Sequence, residues 1–286
     1  MRLVSLTDPV GALAVVTDRG VVTARRLGDD LPPTMAALLA GGPGALDALR
    51  SAVAVTELDG PPLDDVVVLA PVPECRQVIA VGRNYREHTS EQGATPPAEP
   101  LLFAKLPSSI CAPGDDIVWD PTIATQVDYE AELGVVIGRT TRRVAVEDAL
   151  ASVFGYCCVD DVTARDLQRN DGQWFRGKSS DTFCPFGPVL VTADEVPDPQ
   201  RLDIRCTVNG EVRQSSNTSE MFFSVAEIIS YCSQVVTLRP GDLITTGTPG
   251  GVGMHMTPPR LLADGDEVVV EVEGLGRLVN RCRTLV

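Results

Sequence analysis

The stretch Val127–Gly138, VDYEAELGVVIG, decides how the chain is read. On an extended backbone residues two apart share a face, which puts Asp128, Glu130 and Glu132 on one side and Tyr129, Ala131 and Leu133 on the other. Val135, Val136 and Ile137 follow directly, an apolar run that ties the acidic stripe to the core. Like charges at this spacing repel, and a cation between them relieves the repulsion. Glu-x-Glu on a strand therefore reads as half of a metal site. The alternative is a solvated strand face in an acidic protein.

Working outward, 286 residues with 44% hydrophobic and 22% charged content allow a full core, in one large domain or in a small one plus a larger one. No run approaches the roughly 18 apolar residues of a membrane span, and the start, MRLVSLTDPVG, has no long apolar segment of the secretory kind. The expected location is the cytoplasm, without a membrane partner. A net charge of −15 repels a polyphosphate backbone, which argues against nucleic acid as a partner.

The eight cysteines form no C-x-x-C pair and no zinc-like spacing, so they read as reduced, small hydrophobes. Basic residues are more informative: two lysines, Lys105 and Lys178, stand against twenty-two arginines. Lysine offers a compact charge that can lose its proton, and arginine does not. Histidine is as scarce, with His88 and His255 alone.

Residues 1–70 read as a small N-terminal α+β unit, with strands at 12–17 and 20–23, helical stretches at 34–40 and 44–53, and a Pro- and Asp-rich connection at 59–65. From Pro71 the texture changes. A short apolar strand at 77–82 runs into GRNYREHTSEQG, where His88 and Glu91 stand three apart on one helical face. A carboxylate beside an imidazole orients the ring and raises its basicity, so the pair can activate water. LLFAK reads as a strand ending at Lys105, and 146–154 has helical spacing. The apolar strand 155–159 ends in Asp160-Asp161, where a carboxylate at the mouth of a helix can complete a ligand set. Thr163-x-x-Asp166 resembles a capping box for the helix that follows, from which Arg165 and Gln168 project. Ser224-x-x-Glu227 caps the clearest helix, which Pro240-Gly241 stops. Gly247–Gly253, after a strand at 243–246, is a Gly-rich loop whose N–H groups and threonine hydroxyl suit a substrate carboxylate.

Taken together, the words GRNYREH, FAKLPSSI, DYEAELGVVIG, DDVTARDLQ, QWFRGKSSDTFCPFGP, VNGEVRQ and PGDLITTGTPGGVG resemble the fumarylacetoacetate hydrolase family, in family order from about Pro71 to the end. The resemblance implies an α+β fold with a mixed β-roll or barrel-like catalytic domain over 71–286, and a homodimer. It implies magnesium or manganese held by Glu130, Glu132 and Asp161, all oxygen donors. Lys178, His88 and Glu91 match its catalytic groups, while Arg83, Tyr85, Lys105, Arg165, Gln168 and Thr248 match substrate contacts. The implied reaction is hydrolysis of a C–C bond in a 2,4-dioxo acid such as an acylpyruvate. Decarboxylation of oxaloacetate or isomerisation of a hydroxydienedioate are the alternatives on the same site. Asp160 departs from the asparagine common there and adds a negative charge beside the cluster.

Overall fold

A computed structural model describes residues 1–285. Its strands, in chain order, begin with β1 (Arg2–Leu6), β2 (Ala12–Thr17), β3 (Gly20–Thr23), β4 (Val78–Gly82), β5 (Leu101–Lys105) and β6 (Ile110–Cys111). Next come β7 (Asp116–Trp119), β8 (Val127–Asp128), β9 (Ala131–Ile137), β10 (Val153–Asp160), β11 (Thr163–Ala164) and β12 (Cys184–Thr192). The last are β13 (Asp203–Val208), β14 (Glu211–Asn217), β15 (Leu243–Thr245), β16 (Glu267–Val272) and β17 (Gly276–Thr284).

They form two main sheets. The larger has ten strands in the order β3-β2-β1-β12-β10-β9-β15-β4-β5, with β6 beside β12; the smaller runs β14-β13-β16-β17-β7. Both are open paths, so the sheets form a mixed α+β architecture without the closed barrel expected as one possibility. Residues 1–70 carry no sheet of their own, because β1 pairs antiparallel with β12 through Arg2↔Val191 and Leu3↔Leu190.

Strand β9 lies at the centre, and all seven of its residues are buried. Its two faces explain why. Leu133, Val135 and Ile137 pack with Ile204, Cys206, Val268 and Val270 of the smaller sheet. Val136 points the other way, with Cys157, Val159 and Leu190, toward Leu38, Leu39 and Leu49 of the helical stretch Met35–Ala54. A strand covered on both sides loses the polar–apolar alternation of a half-exposed one and reads as a near-continuous apolar run. Gly134 is required by this packing: a Cβ there would lie 2.5 Å from Val159 Cγ2 and 2.8 Å from Cys157 Sγ. All eight cysteines are buried and unpaired, as small core hydrophobes.

Local expectations fare unevenly. The Ser224 capping box is present on the helix Val225–Val235, and the Met35–Ala54 stretch breaks at Gly42-Pro43, between the two expected helical pieces. The helical reading of 146–154 gives way at Val153, where β10 begins. The Thr163 capping box is not formed. Thr163 donates its hydroxyl proton to the Asp161 carbonyl, and Asp166 accepts from Thr125, so both side chains are engaged elsewhere.

A buried carboxylate cluster in the candidate active site

The site forms where β4, β10 and β15 end and β9 begins, because β9 runs antiparallel to β10 and β15 while β4 runs parallel to β15. The register sets Glu132 opposite Val159, and Asp161 donates its N–H to the Glu130 carbonyl at 2.9 Å. One oxygen each from Glu130, Glu132 and Asp161 lies within 4.8 Å of the others, and all three residues are buried. The solvated strand face is thereby excluded.

Asp128 does not join them. The extended run breaks at Tyr129 and Glu130, and β8 pairs instead with β11. There Asp128 accepts from Arg165 Nε at 2.9 Å and from the amides of Gly253 and Met254 at 2.8 and 3.1 Å. The stripe of three becomes a pair of ligand candidates plus a carboxylate that fastens two loops.

The cations around the cluster are few and close. Lys178 Nζ lies 2.7 Å from Glu130 Oε2 and 2.7 Å from Asp161 Oδ2, Lys105 Nζ lies 2.5 Å from Asp161 Oδ1, and Arg165 Nη1 lies 2.6 Å from Glu130 Oε1. Burial opposes ionisation of Glu130, but Lys178 and Arg165 outweigh it and hold the carboxyl down at about 2. Lys178 is likewise held above its ordinary value by Asp161 and Glu130 against its burial. Among the described residues no cationic side chain forms an ion pair with Glu132; it accepts from the Gly247 amide at 2.7 Å. Burial, reinforced by Asp161 and Glu130, pushes its carboxyl well up.

Four buried carboxylates, Asp128, Glu130, Glu132 and Asp161, thus face three buried cations, Lys105, Lys178 and Arg165. That imbalance, with Glu132 the carboxylate left without a counter-charge, fits a divalent cation bound by oxygen donors. Asp160 adds less charge than its type suggests. Its Oδ1 accepts from the Glu130 amide at 2.9 Å, Oδ2 is buried with no partner among the described residues, and burial pushes the carboxyl up to about 7.

Above the cluster a cavity of about 410 Å³ opens, a volume suited to a small metabolite. Arg83, His88, Glu130, Glu132, Arg165, Gln168, Lys178 and Thr248 line it. Glu91 stands behind His88, its Oε1 2.7 Å from Nδ1 and its Oε2 accepting from the Gly251 amide at 2.8 Å. Thr248 Oγ1 accepts from Gln214 at 2.8 Å, which leaves its own O–H free to donate.

Two expected substrate contacts do not reach the cavity wall. Lys105 is buried against Asp161 and serves the carboxylates, and the Tyr85 hydroxyl is buried without a partner among the described residues. Conversely, Gln92 and His255 line the cavity and went unmarked in the sequence. Gln92 stands four residues after His88, a helical spacing that could have signalled it; its Nε2 lies 2.7 Å from His88 Nε2. His255 was noted only as one of two histidines, at the end of a loop read for its glycines.

Comparison with known proteins agrees with this geometry. Residues 77–283 match the family described as fumarylacetoacetate (FAA) hydrolase C-terminal. The chain is 47% identical over 288 residues to the mitochondrial oxaloacetate tautomerase FAHD2A of Bos taurus, covering 98% of this chain and 91% of that one. It is 45% identical over 222 residues to the oxaloacetate tautomerase YisK of Bacillus subtilis, covering 77% and 74%. Among solved structures, maleylpyruvate hydrolase from Sphingobium sp. SYK-6, in complex with manganese (II) ion and pyruvate, superposes with a TM-score of 0.82 at 32% identity, covering 99% of each chain. The chain is an enzyme of the fumarylacetoacetate hydrolase family.

Proposed function

We propose that this enzyme interconverts the enol and keto forms of a small 2-oxo dicarboxylic acid, with oxaloacetate as the substrate. The carrying observation is that the Glu130, Glu132, Asp161 cluster and the His88–Glu91 pair face one cavity in a chain 47% identical, nearly end to end, to an oxaloacetate tautomerase. This replaces C–C bond hydrolysis as the leading reading.

Glu130, Glu132 and Asp161 would hold a magnesium or manganese ion, which when bound polarises the carboxylate and 2-oxo oxygens of the substrate. The remaining work falls to the chain. The Thr248 hydroxyl and Arg165 Nη2, which is buried with no partner among the described residues, are donors for the substrate's C1 carboxylate. Lys178, held charged by its neighbours, donates to the C2 oxygen, where negative charge accumulates as a proton leaves C3. Glu91 accepts from Nδ1 of His88 and so keeps Nε2 free of its own proton. Nε2 can then take a proton from C3 and return it. In the enol-to-keto direction the C2 hydroxyl loses a proton and C3 gains one, with no net change in composition.

A second reading keeps the same groups: His88 activates water for attack on the C4 carbonyl of an acylpyruvate. The 2.7 Å contact between His88 and Glu91 favours it, as does the likeness to a maleylpyruvate hydrolase. One experiment separates the readings. With manganese present, the decay of enol absorbance is followed for oxaloacetate, alongside pyruvate release from oxaloacetate and from acylpyruvates. Accelerated decay without pyruvate establishes the tautomerase. Pyruvate with an equal amount of partner acid from an acylpyruvate establishes the hydrolase, and pyruvate from oxaloacetate alone a decarboxylase.

A further inference from the structure

His255 takes no part in the steps above, yet it lines the cavity, and its Nε2 is buried with no hydrogen-bond partner among the described residues. A buried polar atom of this kind is unfavourable unless a ligand or water pairs with it. The ring is also held in place. It ends the short turn Gly253–His255, whose amides at 253 and 254 donate to Asp128, the same carboxylate that accepts from Arg165 Nε. Gly253 has no room for a side chain, since a Cβ would lie 2.1 Å from the Arg260 carbonyl oxygen and 2.6 Å from Asp128 Oδ1. His255 is therefore fixed relative to Arg165, and through Arg165 relative to Glu130.

It is also fixed relative to His88. The two rings stand edge to face with centroids 6.3 Å apart and planes at 66°. With hydrogen bonds of about 2.8 Å from each ring, that separation suits neighbouring groups of one small ligand. Burial holds His255 below the ordinary histidine range, so at neutral pH it is an uncharged ring with one N–H to donate. The Met254 side chain beside it is apolar, and no protein group pairs with Nε2 among the described residues.

We propose that His255 is a specificity-determining residue: its Nε2–H donates to a carboxylate attached to the carbon at which His88 moves a proton. It thereby selects 2-oxo acids with a C4 carboxylate over the same chain ending in a methyl group. The inference rests on the tautomerase reading for its frame, and binding tests it separately.

The test uses manganese-loaded protein, wild type, His255→Ala and His255→Asn. Exchange of C3 hydrogens with deuterium is followed by NMR for oxaloacetate and for 2-oxobutanoate, and calorimetry measures L-malate against 2-hydroxybutanoate, which differ in the same way. We expect His255→Ala to lower kcat/KM for oxaloacetate and affinity for malate by about tenfold or more, the loss of one charge-assisted hydrogen bond. Both methyl-ended compounds should change less than about twofold by the same reasoning, and His255→Asn should recover part of the loss. Equal losses on both members of each pair would show a merely structural role and overturn the proposal, as would unchanged malate affinity. If wild type exchanges neither substrate while malate affinity still falls in His255→Ala, the tautomerase reading fails and the carboxylate contact stands.

Discussion

Gln92 Nε2 lies 2.7 Å from Nε2 of His88, on the far side of the ring from Glu91, whose Oε1 is 2.7 Å from Nδ1. Both ring nitrogens are thus occupied. With Glu91 accepting from Nδ1–H, Nε2 is an acceptor and the Gln92 amide donates to it. Substrate must displace that amide before Nε2 can take a proton. A hydrogen bond between neutral groups is worth about 1 kcal/mol net. Gln92→Ala should therefore raise kcat/KM by about threefold to fivefold, mainly through KM, with the melting temperature little changed. Steady-state kinetics on oxaloacetate check this, and a tenfold fall would assign Gln92 to substrate binding instead.

His88 itself gives a larger expectation. General acid–base groups contribute about 10²- to 10⁴-fold, so His88→Ala should lose activity on that scale while still binding malate. Glu91→Gln should lose less, because the amide can still accept from Nδ1–H but no longer stabilises the charged ring. Equal losses in the two variants would mean that Glu91 acts mainly by holding the loop at Gly251.

The carboxylate cluster predicts a metal-dependent stability. Four buried carboxylates against three buried cations leave Glu132 without a counter-charge, a deficit that a bound divalent ion removes. At a hundred times its dissociation constant such an ion adds about 2.7 kcal/mol, or roughly 5 °C in melting temperature for a chain of this size. Calorimetry with manganese, with magnesium and after chelation measures it. Glu132→Gln should abolish most of the shift, and a wild-type protein indifferent to all three conditions would remove the metal from the account.

The sequence is legible where a local period decides the geometry. Glu132 lies on β9 and Glu130 directly before it, and both reach one cluster as the two-residue period suggests; Asp161 follows directly on Asp160, the last residue of the apolar strand β10. Asp128 was misplaced because alternation cannot show where a strand breaks; two residues of irregular backbone at Tyr129 and Glu130 sent it to another sheet. Lys105 is singled out by its rarity and expected at the substrate, since the local pattern around a lone lysine does not show that it pairs with a buried aspartate. His255 was illegible for a different reason. Its position depends on Asp128 tying two loops together across more than a hundred residues, which no spacing within either loop records.

Asp242 offers a test by pH away from the site. Its Oδ2 accepts from the Arg239 amide at 2.7 Å and from Gln77 at 3.1 Å, and burial still holds its carboxyl above the ordinary range. For a carboxyl raised in the fold, the favourable contribution is complete below the unfolded value of about 3.9 and is lost as pH rises through the folded one. Asp242→Asn should therefore gain stability relative to wild type as pH rises from acid to neutral. Denaturant titrations at several pH values read the difference, and a gap that narrows with rising pH would refute the assignment.

Gly82 connects packing to the active-site lysine. A Cβ at this position would lie 2.4 Å from Cζ3 and 2.7 Å from Cη2 of Trp174. The indole is a rigid ring, packed edge to face on Phe103 with centroids 5.2 Å apart. Its carbonyl accepts from the Lys178 amide at 3.0 Å, and Lys178 Nζ sits 5.2 Å from the Phe103 centroid. Moving the indole therefore moves the turn that presents Lys178 to Glu130 and Asp161. Gly82→Ala should cost about 1–3 kcal/mol, as overpacking does, and lower kcat by about tenfold or more, as displacement of a positioned charge does. The variant Trp174→Leu, combined with Gly82→Ala, gives the methyl group space. If the double variant restores stability but not kcat, the indole itself is needed to place Lys178; if it restores both, the clash alone was responsible. Unchanged kcat in Gly82→Ala would uncouple this contact from the lysine.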